Sequence, residues 1–194
     1  MRWSLLMNAP FETSRARARL LEIVREKALK RGTFTLASGK TSDYYLDCRL
    51  VTLDPEGLTL LSRLIVEDLK GSGVEAVGGL TLGADPIAAG VAVVSHQEGR
   101  PIRAFLVRKE TKSHGTQKRV EGAPLAGARV AVVEDVMTTG GSAKEAIAQA
   151  EAAGAKVERV YCLIDRIEGG GSELRSKGYD LRAIFEVDEV LGRS

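Results

Sequence analysis

The chain has 194 residues, 44% of them hydrophobic, enough to bury one substantial core and too few for two domains of ordinary size. Its 28 basic residues against 26 acidic ones leave a net charge of only +2, which argues against a phosphate-coating surface of the nucleic-acid-binding kind, so any basic chemistry must be local. Two cysteines, Cys48 and Cys162, are too few for a disulfide scaffold and have no partner at metal-ligand spacing; both read as buried small apolar residues in a reducing cytoplasm.

The first ten residues include Trp3, Leu5, Leu6 and Met7 but lack the apolar core and cleavage site of a secretory signal, so export is not expected and Met7 is a second candidate start. No run approaches the roughly 20 apolar residues that cross a bilayer, so a soluble protein is expected. Thr13 and Ser14 are expected to cap a helix with Leu20, Leu21, Val24 and Ala28 on its buried face. Asp54 followed by Pro55 predicts a second helix, with Leu58, Leu61, Ile65 and Leu69 as its buried stripe.

Beyond it, apolar runs at 76–80, 102–107, 130–133 and 157–164 alternate with helical segments at 86–94 and 142–153, the latter stopped by Gly154. This alternation predicts an α/β fold, a doubly wound, mainly parallel sheet with ligands at the carboxyl ends of its strands. The order of the strands is not readable from it. No repeat or linker interrupts the chain, so one domain spanning residues 1–194 is expected, with residues 1–50 forming a small cap.

The most informative stretch follows the run at 130–133. It reads Glu134, Asp135, Val136, Met137, Thr138, Thr139, Gly140, Gly141, Ser142 and then turns helical. Residues 138–142 are suited to fold around a phosphate, because the glycines admit backbone amides at close range and a helix starting near Ser142 adds its positive end. Glu134 and Asp135 would repel that phosphate, so they are expected to accept hydrogen bonds from sugar hydroxyls or to hold magnesium through water. The stretch lacks the lysine of a Walker A loop and the spacing of the dinucleotide glycine pattern. It resembles the phosphoribosyl pyrophosphate loop of the type I phosphoribosyltransferases, which implies their fold.

Residues 108–119 are polar and carry Arg108, Lys109, Lys112 and His114, four potential donors within seven positions, suited to closing over a diphosphate leaving group. A solvated basic loop is the plain alternative. The run from Arg108 to Gly115 resembles, without a gap, the Arg-Lys-x-x-Lys-x-His-Gly loop of orotate phosphoribosyltransferases. In that family the loop completes the neighbouring subunit's site, so the resemblance implies a homodimer.

Other segments agree with the resemblance. Residues 34–45, with Ser38, Gly39, Tyr44 and Tyr45, look like the family's N-terminal hood, although a plain hairpin with half-buried tyrosines fits equally. Asp165-Arg166 resembles the pair whose arginine meets the orotate carboxylate; the competing reading is a structural salt bridge for Asp165 that leaves Arg166 free. Residues 81–86 match the pyrophosphate-side loop, and Asp85 with Pro86 also reads as a helix cap. Ala37 stands where many members carry lysine, so that contact is missing or moved, for instance to Lys40. Residues 169–171 read as a turn without chemistry.

The resemblance implies transfer of the phosphoribosyl group to orotate, giving orotidine 5'-monophosphate and pyrophosphate. It assigns catalysis to Lys112 and Asp135 and the phosphoribosyl pyrophosphate site to Arg108, Lys109, Lys112, His114 and residues 134–142. Orotate falls to Thr138 and Arg166, and magnesium rides on the diphosphate with no protein ligand assigned. A purine phosphoribosyltransferase is opposed by the basic segment and Arg166. A nucleic-acid-binding regulator of the same fold is opposed by that segment and the low net charge.

Overall fold

A carboxylate followed by proline starts a helix because it satisfies amide protons that the helix itself leaves orphaned. In a computed structural model, which describes residues 11–35, 41–110 and 119–193, Asp54 does this: its Oδ1 accepts from the amides of Glu56 at 3.1 Å and Gly57 at 2.8 Å. Among the described residues the chain begins with helices α1 (Thr13–Ile23), α2 (Arg49–Thr52) and α3 (Pro55–Asp68). Helix α1 runs on into a π-helical turn (Val24–Ala28), then a hairpin of β1 (Leu29–Thr35) and β2 (Thr41–Leu46). Glu12, rather than Thr13 or Ser14, occupies the cap position of α1, and no side chain caps it. Leu20, Val24 and Ala28 are buried as expected, while Leu21 is half-buried.

The rest of the chain builds β3 (Ala76–Leu80), α4 (Ala84–Gln97), β4 (Arg103–Val107), β5 (Val120–Gly122), β6 (Arg129–Met137), α5 (Gly141–Ala152), β7 (Lys156–Asp165), α6 (Gly170–Ser176), β8 (Leu181–Glu186) and α7 (Val187–Leu191). The six-stranded sheet runs β5-β4-β3-β6-β7-β8, parallel except for β5 at one edge. Alternate residues of each central strand feed opposite layers, as the pleat requires. Val130, Val132, Val160 and Cys162 pack with Ala146, Ile147 and Ala150 of α5. Ala131, Val133, Tyr161 and Leu163 pack with Leu61 and Ile65 of α3 and with Ile87 and Val91 of α4. The sheet is therefore doubly wound, and Cys162 of β7 and Cys48, just before α2, are both buried as small apolar residues.

Three expectations need correction. Strand β6 does not end at the two acids: Glu134 still pairs with Cys162, and the ladder runs on to Met137 opposite Asp165, because β7 is long enough to continue it. Strands β5 and β8 were not expected at all. Residues 169–171 do not form a free turn; Gly170 begins α6 and packs against Gly140.

Candidate active site

Four strand ends meet on the carboxyl side of the sheet, where a doubly wound fold gathers ligands. From β6 the chain turns through Thr138 and Thr139 to Gly140, whose left-handed backbone (φ 74°, ψ 13°) delivers it into α5. No side chain caps α5, so its first amides and positive dipole end are presented by backbone alone. A small cavity of about 120 Å³ is lined by Glu134, Val136, Met137, Thr138, Thr139, Gly140, Gly141 and Ser142. Met137 is itself buried in the core. Its contribution to this cradle is backbone and packing.

The cradle is shaped from below by a residue the sequence left without a role. The Gly170 amide donates to the Thr138 carbonyl at 2.9 Å. A Cβ added at Gly170 would sit 2.3 Å from the Gly140 nitrogen and 2.5 Å from the Thr138 oxygen, so only glycine fits beneath the loop. Lys144 of α5 bonds Glu173 of α6 at 2.8 Å and holds the two helices in this register.

The two acids differ sharply. Glu134 is 7% exposed, and burial, reinforced by the neighbouring Asp135 charge, pushes its carboxyl up to about 8. At neutral pH it is mostly protonated and able to donate a hydrogen bond as well as accept one. Asp135 is half-buried, and its Oδ1 accepts from the Val136 amide at 2.8 Å. The β3–α4 loop lies against both acids: a Cβ on Gly83 would meet Asp135 Oδ1 at 2.7 Å and Glu134 Oε1 at 3.1 Å.

That loop opens a second, larger cavity of about 520 Å³, lined by Thr81, Leu82, Asp85, Leu106, Arg108, Lys109, Glu110 and Glu121. Asp85 does not cap α4; Gly83 holds the cap position, and the carboxylate Oδ1 is sealed from solvent without a partner. Burial raises the Asp85 carboxyl above its ordinary value. Lys112 and His114 lie outside the described residues, as do Ala37, Ser38, Gly39 and Lys40.

Arg166 follows β7 and is tied to the cradle by its own amide, which donates to the Met137 carbonyl at 2.9 Å. Its guanidinium carbon stands 5.1 Å from the centre of the Tyr44 ring, and its Nε donates to the Tyr44 hydroxyl at 3.3 Å. Tyr44 is 9% exposed and meets Arg166, whereas Tyr45 is 40% exposed beside Phe34, so the paired tyrosines have different surroundings. The Asp165 salt bridge exists, to Arg175 at 3.5 Å, but it does not leave Arg166 free, because Glu168 pairs with Arg166 at 2.9 Å. The sequence reading missed Glu168, Arg175, Gly170 and Arg119, whose guanidinium donates to the Arg108 carbonyl at 2.7 Å. Only Glu168 carried a local signal, a carboxylate two positions from Arg166.

A doubly wound sheet whose central strand carries two acids near its end and leads through a Thr-Thr-Gly-Gly-Ser turn into a helix start defines the type I phosphoribosyltransferase fold. No protein-family model matches the chain. An orotate phosphoribosyltransferase from a Bradyrhizobium species is 46% identical over 182 residues, covering 92% of this chain and 98% of that protein. One from Aquifex aeolicus is 42% identical, covering 90% and 97%. The crystal structure of the Mycobacterium tuberculosis orotate phosphoribosyltransferase in complex with 5-phospho-alpha-D-ribosyl 1-diphosphate superimposes with a TM-score of 0.77 at 37% identity, covering 90% of this chain and 98% of that one. The chain belongs to the orotate phosphoribosyltransferase family.

Proposed function

We propose that the chain transfers the 5-phosphoribosyl group of phosphoribosyl pyrophosphate to orotate, forming orotidine 5'-monophosphate and pyrophosphate on the route to UMP. The observation that carries this reading is the convergence of the 138–142 cradle, the Asp135 carboxylate and Arg166 at adjacent strand ends. In the reaction a bond forms between the base nitrogen and the ribose carbon while the carbon–oxygen bond to pyrophosphate breaks, the electron pair leaving with pyrophosphate and the proton of the base nitrogen balancing the charge pyrophosphate gains. The protein has little covalent work, so its contribution is alignment and electrostatic stabilisation.

Backbone amides of residues 138–142 and the start of α5 bind the sugar phosphate. Asp135 stabilises the positive charge on the ribose ring, and neutral Glu134 hydrogen-bonds a ring hydroxyl. Arg108, Lys109, Lys112 and His114 neutralise the departing diphosphate, with Lys112 the main catalytic cation. Thr138 and Arg166 bind orotate, Arg166 through the carboxylate, and the β1–β2 hairpin with Tyr44 acts as the hood over the base.

The residues fit magnesium carried in on the diphosphate. Asp85, Glu110 and Glu121 line the larger cavity beside Arg108 and Lys109, oxygen donors of the kind a hard cation takes. Bound there, magnesium would withdraw charge from the leaving group.

The finer reading is a cytoplasmic homodimer in which the basic segment completes the neighbouring site, acting on small molecules and not on nucleic acid or membrane. Among the described residues no helix is long and apolar enough to cross a membrane. The test is to mix the protein with magnesium, phosphoribosyl pyrophosphate and a panel of bases and to follow pyrophosphate. Release with orotate alone supports the reading; release with hypoxanthine or guanine overturns it.

A further inference from the structure

We propose that Glu168 is an internal placeholder for the carboxylate of the base, occupying Arg166 until orotate displaces it. The inference rests on the reading that Arg166 meets that carboxylate, and it adds a residue that governs how tightly carboxylated ligands are held. Arg166 is mostly buried, with 14% of its side chain exposed, and its fork is engaged from two directions. Tyr44 fixes one side, with the hydroxyl accepting from Nε and the ring beneath the guanidinium carbon. The Nη2 group, which a planar carboxylate would take, is already paired with Glu168 Oε1.

The backbone brings the two residues together deliberately. Asp165, 3% exposed, accepts from the Ile167 amide at 2.9 Å through Oδ1 and is paired with Arg175 through Oδ2. This turn holds Ile167 at φ 57°, a left-handed conformation that β-branched residues avoid. In an extended chain, residues two apart share a face but stretch away from each other. The bend at Ile167 instead returns Glu168 onto Arg166. Strain held beside a ligand-binding side chain is an observation from which a functional role can be inferred.

Exchange of one carboxylate for another leaves Arg166 neutralised throughout, so orotate enters without stranding a buried charge. Glu168, 39% exposed on its side chain, swings into water at small cost. A base that lacks a carboxylate brings nothing to replace the pair. Orotidine 5'-monophosphate keeps the carboxylate, so the return of Glu168 to Arg166 competes with the product and favours its release.

The test is Glu168→Gln, which keeps the shape and removes the charge, with direct binding of orotidine 5'-monophosphate and uridine 5'-monophosphate measured by calorimetry. The two ligands differ only in the carboxylate. The proposal expects the first to tighten about two- to fivefold, the range for releasing a partly exposed ion pair, and the second to stay the same. Unchanged or weaker binding of orotidine 5'-monophosphate, or equal tightening of both, overturns it. Glu168→Ala should act in the same direction and guards against a bond made by the glutamine itself. Arg166→Ala, run in parallel, separates the two readings. If it abolishes the preference between the nucleotides while Glu168→Gln changes nothing, only the placeholder fails; if the preference survives it, the role of Arg166 fails first.

Discussion

Arg108 and Arg119 bond to each other in both directions: the Arg108 amide donates to the Arg119 carbonyl at 2.8 Å, and the Arg119 guanidinium returns to the Arg108 carbonyl at 2.7 Å. The same guanidinium reaches the Lys109 carbonyl at 2.7 Å and is paired with Glu145 of α5. Both ends of the basic segment are thereby fixed to one another and to the helix that begins at the phosphate cradle. Closing a segment whose ends are already joined costs less entropy than closing one whose ends wander.

Arg119→Ala is therefore expected to lower turnover about tenfold, with a smaller effect on the KM for orotate, because it frees the segment that carries Lys112. Arg119→Lys keeps a charge for Glu145 but loses the fork and should fall between. Steady-state kinetics on both variants decides the matter, and wild-type turnover in Arg119→Ala would show that the clasp is structural only.

Lys112→Ala is expected to cut turnover far more than it weakens orotate binding, since the leaving diphosphate gathers charge mainly as its bond to ribose breaks. Turnover measured at saturating substrates, beside orotate affinity measured directly, gives the comparison. Equal turnover in the variant would remove the segment from the mechanism.

Gly170→Ala tests whether α6 shapes the phosphate cradle from thirty residues away. Its added methyl would collide with the Gly140 nitrogen and the Thr138 oxygen, both backbone atoms that cannot swing aside. Affinity for phosphoribosyl pyrophosphate should drop at least about tenfold, with a stability loss of about 1–3 kcal/mol. Calorimetry and thermal unfolding measure the two. Normal affinity would mean that the loop relaxes freely around the extra carbon.

The contrast between Gly140 and Gly170 marks what was legible in the sequence. Gly140 belongs to a local pattern in which acids, hydroxyls and glycines follow an apolar strand, and the strand-turn-helix order was readable from it, though not how far past the acids the strand runs. Strand β3 was readable to the residue, being a wholly buried run. Gly170 acquires its role only by touching Gly140 across the fold, and nothing in Gly-Gly-Gly distinguishes a packed helix start from a loose turn. Strand β5 spans three residues at a sheet edge and exists by pairing with β4, so it has no periodicity to detect. The Arg166–Glu168 pair was equally hidden, because it needs a left-handed backbone at an isoleucine.

Glu134 makes stability depend on pH in a definite direction. Its carboxyl is raised from 4.5 to about 8 in the fold, by burial first and by Asp135 second. A raised acid contributes stability that is fully present below pH 4.5 and is lost as pH rises toward about 8. Glu134→Gln removes this dependence, so the melting temperature of the variant relative to the wild type should climb between about pH 5 and pH 8. Parallel thermal scans across that range check it. A constant difference between the two proteins would mean that Glu134 is ionised in the fold.

Ile167→Gly sets two opposing effects against each other. Holding a β-branched residue at φ 57° costs about 1–3 kcal/mol, and glycine removes that strain. Against it stands the extra freedom glycine gives the unfolded chain, about 0.5–1 kcal/mol. Little burial is lost, because Ile167 is 55% exposed. The strain is the larger quantity, so the variant should be more stable by about 1 kcal/mol and melt about 2–4 °C higher. The same change loosens the turn that presents Arg166 and Glu168, so the KM for orotate should rise while the KM for phosphoribosyl pyrophosphate holds. A lower melting temperature would show that the isoleucine side chain contributes contacts worth more than the strain it imposes. A gain in stability without any change in orotate KM would show that the bend does not depend on the side chain that occupies it.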